Sequence, residues 1–230
     1  MKRSEINNEI RETIGFLETH HFALPPFAAW TPDDWQSVGH EADEIRSRSL
    51  GWDVTDFGSG RFPEIGLTVF TIRNGKVDDP DNEKIYAEKV LIVKENQVTP
   101  FHFHFSKTED IINRGGGDLT IDLYNSDGEG NFVETEVRVN CDGVTRTVPA
   151  GGTVVLGLGE SITLVPGLYH EFKGVPGSGT VLVGEVSSVN DDNVDNRFQT
   201  PLPRYPEIEE DEPPLRLLCN EYPGAQPPVS

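Results

Sequence analysis

Basic residues are scarce in this sequence: 19 lysines and arginines stand against 39 aspartates and glutamates in 230 residues, a formal net charge of −20. Such a surface repels phosphate backbones and anionic lipid headgroups, which argues against nucleic acid and membranes as partners. Cysteine is nearly absent. Cys141 and Cys219 lie far apart and form no C-x-x-C pair, so neither a disulfide framework nor a thiolate metal site is expected. Long apolar runs are missing too. The opening MKRSEINNEI lacks the apolar stretch of a secretory signal, and nothing later approaches the roughly 18 apolar residues of a membrane span. These absences point to a soluble, cytoplasmic protein. They do not point to disorder, because the charged fraction is an ordinary 25% and aromatic residues make up 9%.

What is present falls into three stretches. In residues 1–50, Ile6, Ile10, Ile14 and Leu17 recur at helical spacing behind Ser4, a candidate cap. A second helix is expected from Thr31-Pro32-Asp33-Asp34 through Trp35, Val38, Ala42 and Ile45, with an extended connector between the two. From 51 to 200 the texture changes to short apolar runs cut by Gly, Asn, Asp and Pro, the pattern of an antiparallel sandwich or barrel. Strands are expected at 67–73, 85–95, 100–105, 118–125, 131–139, 144–149, 153–157, 161–165, 168–173 and 179–188. Asn74-Gly75, Asp127-Gly128, Asp142-Gly143 and Gly151-Gly152 supply the hairpin turns. From 201 to 230 a proline-rich, acidic tail is expected to wrap the surface as a strap. The whole reads as one mainly β domain with a helical arm.

The segment PFHFHFSKTED alternates strictly. On a strand, His102 and His104 face one side and Phe101, Phe103 and Phe105 the other, with same-face neighbours about 6–7 Å apart. Imidazoles left unpaired in a buried position are costly, so this pair must line a wet cavity or bind something. Glu109 follows at the start of the next extended segment, where a short turn can return its carboxylate to the same point. Two or three His plus one carboxylate suit Mn, Fe, Co, Ni or Zn.

At these residues the chain resembles the cupin superfamily, whose first motif places H-x-H, Glu and Gly where His102, His104, Glu109 and Gly116 stand. The second motif resembles Pro166-Gly167-Leu168-Tyr169-His170, which implies His170 as a fourth ligand. Two departures are visible: Asn96 replaces the glycine that opens the first motif, and Pro166 and Gly167 are adjacent. The implied fold is a cupin-type double-stranded β-helix, or jelly-roll barrel, with the N-terminal helical extension. A wider resemblance, carried by the helical arm, KVLIVKENQVTPFHFHFSKTEDIINRGGG, VNDDNVDNRF and EEDEPPLRLLCNEY, is to the D-lyxose isomerase family.

That resemblance implies Mn(II), with Co(II), Zn(II) or Fe(II) as alternatives. It further implies interconversion of D-lyxose with D-xylulose, and of D-mannose with D-fructose, through a metal-chelated enediolate, in a chain that acts as a homodimer. For such chemistry Lys107, between two ligands in sequence, is assigned charge stabilisation or proton donation, and Glu185, after the apolar TVLVG, the role of base. Lys94, Asp195 and Arg197 are assigned to the sugar, although the polar loop carrying the last two would equally serve to cap a barrel. The run Arg114-Gly115-Gly116-Gly117 reads as a hairpin turn. With so few basic residues the expected substrate is an unphosphorylated monosaccharide. An Fe(II) cupin dioxygenase and a non-catalytic sugar-binding cupin use the same ligand set and are the alternatives.

Overall fold

The computed structural model describes residues 1–76, 84–189, 191 and 194–225. Part of the polar loop (190, 192 and 193) and the last five residues of the expected strap (226–230) lie outside the described residues. Helix α1 (Arg3–Thr19) buries Ile6, Ile10 and Leu17 and half-buries Ile14, as the spacing predicts. Its cap is Lys2, whose N–H donates to Glu5; Ser4 instead binds Asp211 through both its N–H and its hydroxyl.

The second helix is shorter than expected. Thr31 caps α2 (Pro32–Ser37) by accepting from the Asp34 N–H, but the chain breaks at Val38-Gly39 and resumes as a 3₁₀ turn and α3 (Asp43–Ser47). Arg46 makes the break tenable by donating to the freed carbonyls of Val38 and Gly39, each at 2.8 Å.

Fourteen strands follow among the described residues: β1 (Gly51–Thr55), β2 (Leu67–Arg73), β3 (Tyr86–Val93), β4 (Val98–His104), β5 (Glu109–Gly116), β6 (Leu119–Ser126), β7 (Phe132–Val133), β8 (Val137–Cys141), β9 (Val144–Val148), β10 (Gly152–Leu156), β11 (Ser161–Leu164), β12 (Tyr169–Gly174), β13 (Val181–Ser188) and β14 (Asn196–Phe198). The expected strand at 131–139 is two pieces, β7 and β8. Strands β1, β5 and β14 have no counterpart among the expected ones.

The glycine run is the end of β5 rather than a hairpin turn. At Gly116, with φ +81°, a Cβ would stand 2.0 Å from the Thr180 carbonyl oxygen, so only glycine lets β5 lie against the chain entering β13.

The strands form two curled antiparallel sheets, one ordered β1-β2-β3-β13-β5-β11-β8-β9 and the other β10-β6-β12-β4-β14 with β7 on β6. This is the mainly β, cupin-like barrel with an N-terminal helix that the sequence implied. Between the sheets, alternate residues such as Leu91, Val93, Ile111, Leu123, Phe172, Val181 and Val183 form one core. The opposite face of β1–β3 and β13 carries Trp52, Phe70, Val90, Ile92 and Leu182, which pack under α1 and Leu218 of the strap. Burying a side chain of this size stabilises by roughly 1.5–3 kcal/mol, so the arm is held by its apolar stripe.

Candidate metal centre and active site

Strand alternation sends His102 and His104 from β4 into the barrel, where they are 8% and 4% exposed. Phe103 points the other way and packs edge-on against Tyr169 at 4.7 Å between centroids. Phe105, beyond the strand end, packs edge-on against Phe103 at 5.2 Å between centroids but stays exposed. Strand β12 runs antiparallel to β4 with His170 in register with His102, which closes a sequence gap of 68 residues to 3.1 Å between their Nε2 atoms. The turn entering β12 is set by Gly167, at φ +77°, whose N–H donates to the His104 carbonyl. Asn96, the departure from the first motif, also has positive φ (+60°), a conformation that asparagine tolerates best after glycine.

Glu109 comes from the facing sheet, as the first residue of β5. Its Oε1 lies 3.3 Å from Nε2 of both His104 and His170. The ligating atoms of the three histidines all lie within 4.8 Å of one another. The Nδ1 atoms of His102 and His170 lie 2.8 and 3.0 Å from the carbonyls of Pro100 and Leu168. A carbonyl only accepts, so each Nδ1 carries the hydrogen and the two Nε2 atoms facing each other are bare lone pairs. Burial first, then the neighbouring imidazoles, drives the His102 pKa well below its usual value, and burial brings His170 down to about 4. Both are therefore neutral at pH 7. Burial opposes charge on Glu109, but Lys107 and the imidazoles outweigh it and hold the carboxyl well below the usual carboxylate range.

The bare Nε2 atoms of His102 and His170, the His104 ring and one anionic oxygen thus converge on a single point. Separations of 3.1–3.3 Å match the edges of a coordination polyhedron with bonds of about 2.1 Å. The donor set fits a divalent cation, and the His102, His104 and His170 cluster could bind one.

Beside this cluster Lys107, 2% exposed, places Nζ 2.6 Å from Glu109 Oε2 and 2.9 Å from Glu185 Oε1. The structure therefore brings Lys107 and Glu185 to the candidate ligands. Asp195 is buried, but its oxygens are engaged elsewhere: Oδ1 accepts from the Ser106 N–H and hydroxyl, and Oδ2 from the Lys107 N–H. It clamps the loop that carries Lys107, and stands 4.0 Å from His104 Nδ1.

Two expected positions lie elsewhere. Lys94 follows the end of β3 and binds Glu9 and Glu12 of α1, at 2.5 and 2.8 Å. Arg197 pairs with Phe103 across β14 and β4 and sits over that ring, on the outer side. Its neighbours Asn196 and Phe198, in register with His104 and His102, line the cavity instead. Lys89, absent from the expected set, also lines it, with Nζ 3.4 Å from Glu185 Oε1. Its signal was there, because Ala87, Lys89, Leu91 and Val93 share one face of β3 and all four are buried. The cavity holds about 50 Å³ and is walled by Phe57, Leu91, Phe172 and Phe198 around the polar cluster.

A family model described as D-lyxose isomerase matches residues 1–222. The chain belongs to the D-lyxose isomerase family. A D-lyxose/D-mannose isomerase of Escherichia coli O157:H7 is 50% identical over 223 residues, covering 96% of this chain and 98% of that protein. One from Serratia proteamaculans is 49% identical with the same coverage. Among solved structures, the L-ribose isomerase of Acinetobacter sp. DL28 in complex with L-ribose matches with TM-score 0.60 at 15% identity, over 90% of this chain and 98% of that one. The ligand-free L-ribose isomerase of Cellulomonas parahominis matches with TM-score 0.58 at 14% identity, over 91% and 98%. At such identity these two show the fold alone. Membership of the D-lyxose isomerase family makes this chain an aldose–ketose isomerase and sets aside the oxygenase and binding-module alternatives.

Proposed function

We propose that the protein interconverts D-lyxose with D-xylulose, and D-mannose with D-fructose, as free sugars on Mn(II) held by His102, His104, His170 and Glu109. The convergence of that donor set with Lys107 and Glu185 carries the reading, beside relatives at about half identity named D-lyxose/D-mannose isomerase. The mixed nitrogen and oxygen set favours a borderline-to-hard cation, and Co(II), Zn(II) or Fe(II) would occupy the same donors. Bound there, the cation supplies Lewis acidity toward a carbonyl and its neighbouring hydroxyl.

The remaining chemistry belongs to side chains. Glu185 takes the proton from C2 of the open-chain aldose and delivers it to C1. Lys107, bridging Glu109 and Glu185, offers its ammonium to the sugar oxygens as negative charge develops there and moves the hydroxyl proton between them. Asp195 holds the Lys107 loop in place, and the phenylalanine walls exclude water. The arm, barrel and strap act as one unit in a cytoplasmic homodimer. The two cysteines, both buried, suit a reducing compartment, and the exposed Phe105, bonded through its N–H to the Asp195 carbonyl, supplies apolar surface for a second copy.

The deciding experiment strips metal with a chelator, restores Mn(II), and follows ketose formation from a panel of free aldoses. Restored turnover of D-lyxose and D-mannose is expected. No activity on any pentose or hexose would defeat the assignment.

A further inference from the structure

The cavity beside the ligands is too small for the sugar it is proposed to turn over. At about 50 Å³ it has room for a few waters, not for a whole sugar. A chain of five or six carbons must extend beyond it. A second chamber, of about 240 Å³, adjoins it: Lys89 and Arg204 stand in the walls of both. Register explains the continuity: Glu185, Lys89 and Thr71 stand opposite one another on β13, β3 and β2, a single row across the concave sheet. Glu185 ends the row on the metal side and Thr71 on the chamber side.

The chamber wall is unusual for the inside of a barrel. Asp53, Thr71, Asn74 and Lys89 all line it and are all buried, at 4%, 7%, 7% and 5% exposure. A buried polar group is expensive unless its hydrogen bonds are made. Asp53, on β1, gives Oδ2 to Arg204, while its Oδ1 is buried and has no hydrogen-bond partner among the described residues. A buried carboxylate oxygen without a donor, at the wall of a polar chamber, calls for a ligand that brings one. Hydroxyl groups are such donors. A charged phosphate would be repelled by this oxygen.

We infer that this chamber is the distal sugar subsite, in which Asp53 Oδ1 accepts from a hydroxyl at the far end of the open-chain substrate. The inference rests on the isomerase reading and extends it. Carbons 1 and 2 lie at the metal side, Lys89 marks the passage, and the terminal carbons occupy the chamber. The subsite then reads chain length, so a hexose depends on it more than a pentose does.

Two variants test this. In Asp53→Asn the amide nitrogen turns away from Arg204 and presents a donor to the chamber. Thr71→Leu narrows the chamber without touching the Asp53–Arg204 pair. With Mn(II)-loaded protein, the dissociation constant of an acyclic hexitol, D-mannitol, is measured by titration calorimetry alongside KM and kcat for D-mannose and D-lyxose. The expected result is a roughly tenfold weaker hexitol complex in each variant, through the loss of about one charged hydrogen bond in Asp53→Asn and through lost space in Thr71→Leu. A larger rise in KM for D-mannose than for D-lyxose, with kcat nearly kept, is also expected. If thermal melting shows either variant folded and it binds D-mannitol within twofold of wild type, the subsite is refuted while the isomerase reading stands. Absent turnover of both aldoses by wild type would sink the isomerase reading, and the hexitol titration would still judge the chamber.

Discussion

Lys107 and Glu185 touch each other in the barrel, yet their substitutions should separate cleanly. Glu185 pairs with Lys89 and Lys107, not with the candidate ligands, among the described residues. Glu185→Gln keeps the shape and removes the base, so kcat should fall about 10²–10⁴-fold, the range for general-base catalysis, with metal content by elemental analysis unchanged. A parallel loss of metal would show instead that Glu185 supports the ligands. Lys107→Met leaves two carboxylates facing each other without their shared cation, and removing one partner of a buried pair costs about 3–5 kcal/mol. That variant should lose both activity and melting temperature.

Parity decided which site residues were legible from sequence. His102 and His104 sit mid-strand, where alternation is reliable, and Lys89 shares the inward parity of Leu91 and Val93. Lys94 is one residue past β3, with the opposite parity, and serves α1. Arg197 is likewise outward, because register sets it against Phe103, while Asn196 and Phe198 face inward. A register between strands so far apart in sequence is a property of pairing that one strand cannot announce.

Among the elements, α1 and the strap form a clasp that the sequence hinted at only through its acids. Arg3, 1% exposed, binds Glu210 and Glu221; Asn7 donates to Glu212 at 2.6 Å and accepts from the Leu215 N–H at 2.7 Å. The apolar stripe of α1 was readable, but the burial of the arginine at its first residue depends on partners some 200 positions away. Strand β5 was missed for a related reason. Its Asn113-Arg114-Gly115-Gly116 half looks like a turn until the close approach of Thr180 explains the glycine.

Arg3→Met should cost about 1–3 kcal/mol, between an exposed and a fully buried ion pair, measured by denaturant unfolding. The clasp should also respond to acid. The hydrogen bond from Arg3 holds the Glu210 carboxyl below its usual 4.5, and Ser4 holds Asp211 below 3.8. Because the folded values are lowered, their contribution is complete above the unfolded values and is lost as pH falls through the folded ones. Melting temperature should therefore be insensitive to these groups above about pH 5 and decline in more acidic buffer. The decline should be shallower in Arg3→Met. An equally steep decline there would assign the acid sensitivity to other carboxylates.

At the scale of the whole molecule, the barrel itself was the most legible feature, because ten short runs with hairpin turns leave few alternatives to a curled antiparallel sheet pair. What sequence could not express is that the proposed metal ligands come from both sheets. His102, His104 and His170 lie on β4 and β12 of one, and Glu109 on β5 of the other. A cation bound by all four would cross-link the two layers, so its binding energy would add to the stability of the fold. By mass action, Mn(II) at a hundred times its dissociation constant adds about 2.7 kcal/mol to unfolding. The core between the sheets is contiguous and independent of the ligands, with Leu119, Ile121, Leu123, Val181 and Val183 completely buried, so stripping the metal should lower the melting temperature without abolishing the cooperative transition. His170→Ala should melt cooperatively but gain nothing from added Mn(II). A wild-type protein whose melting temperature ignores both chelator and Mn(II) would show that these four side chains do not hold an ion between the sheets.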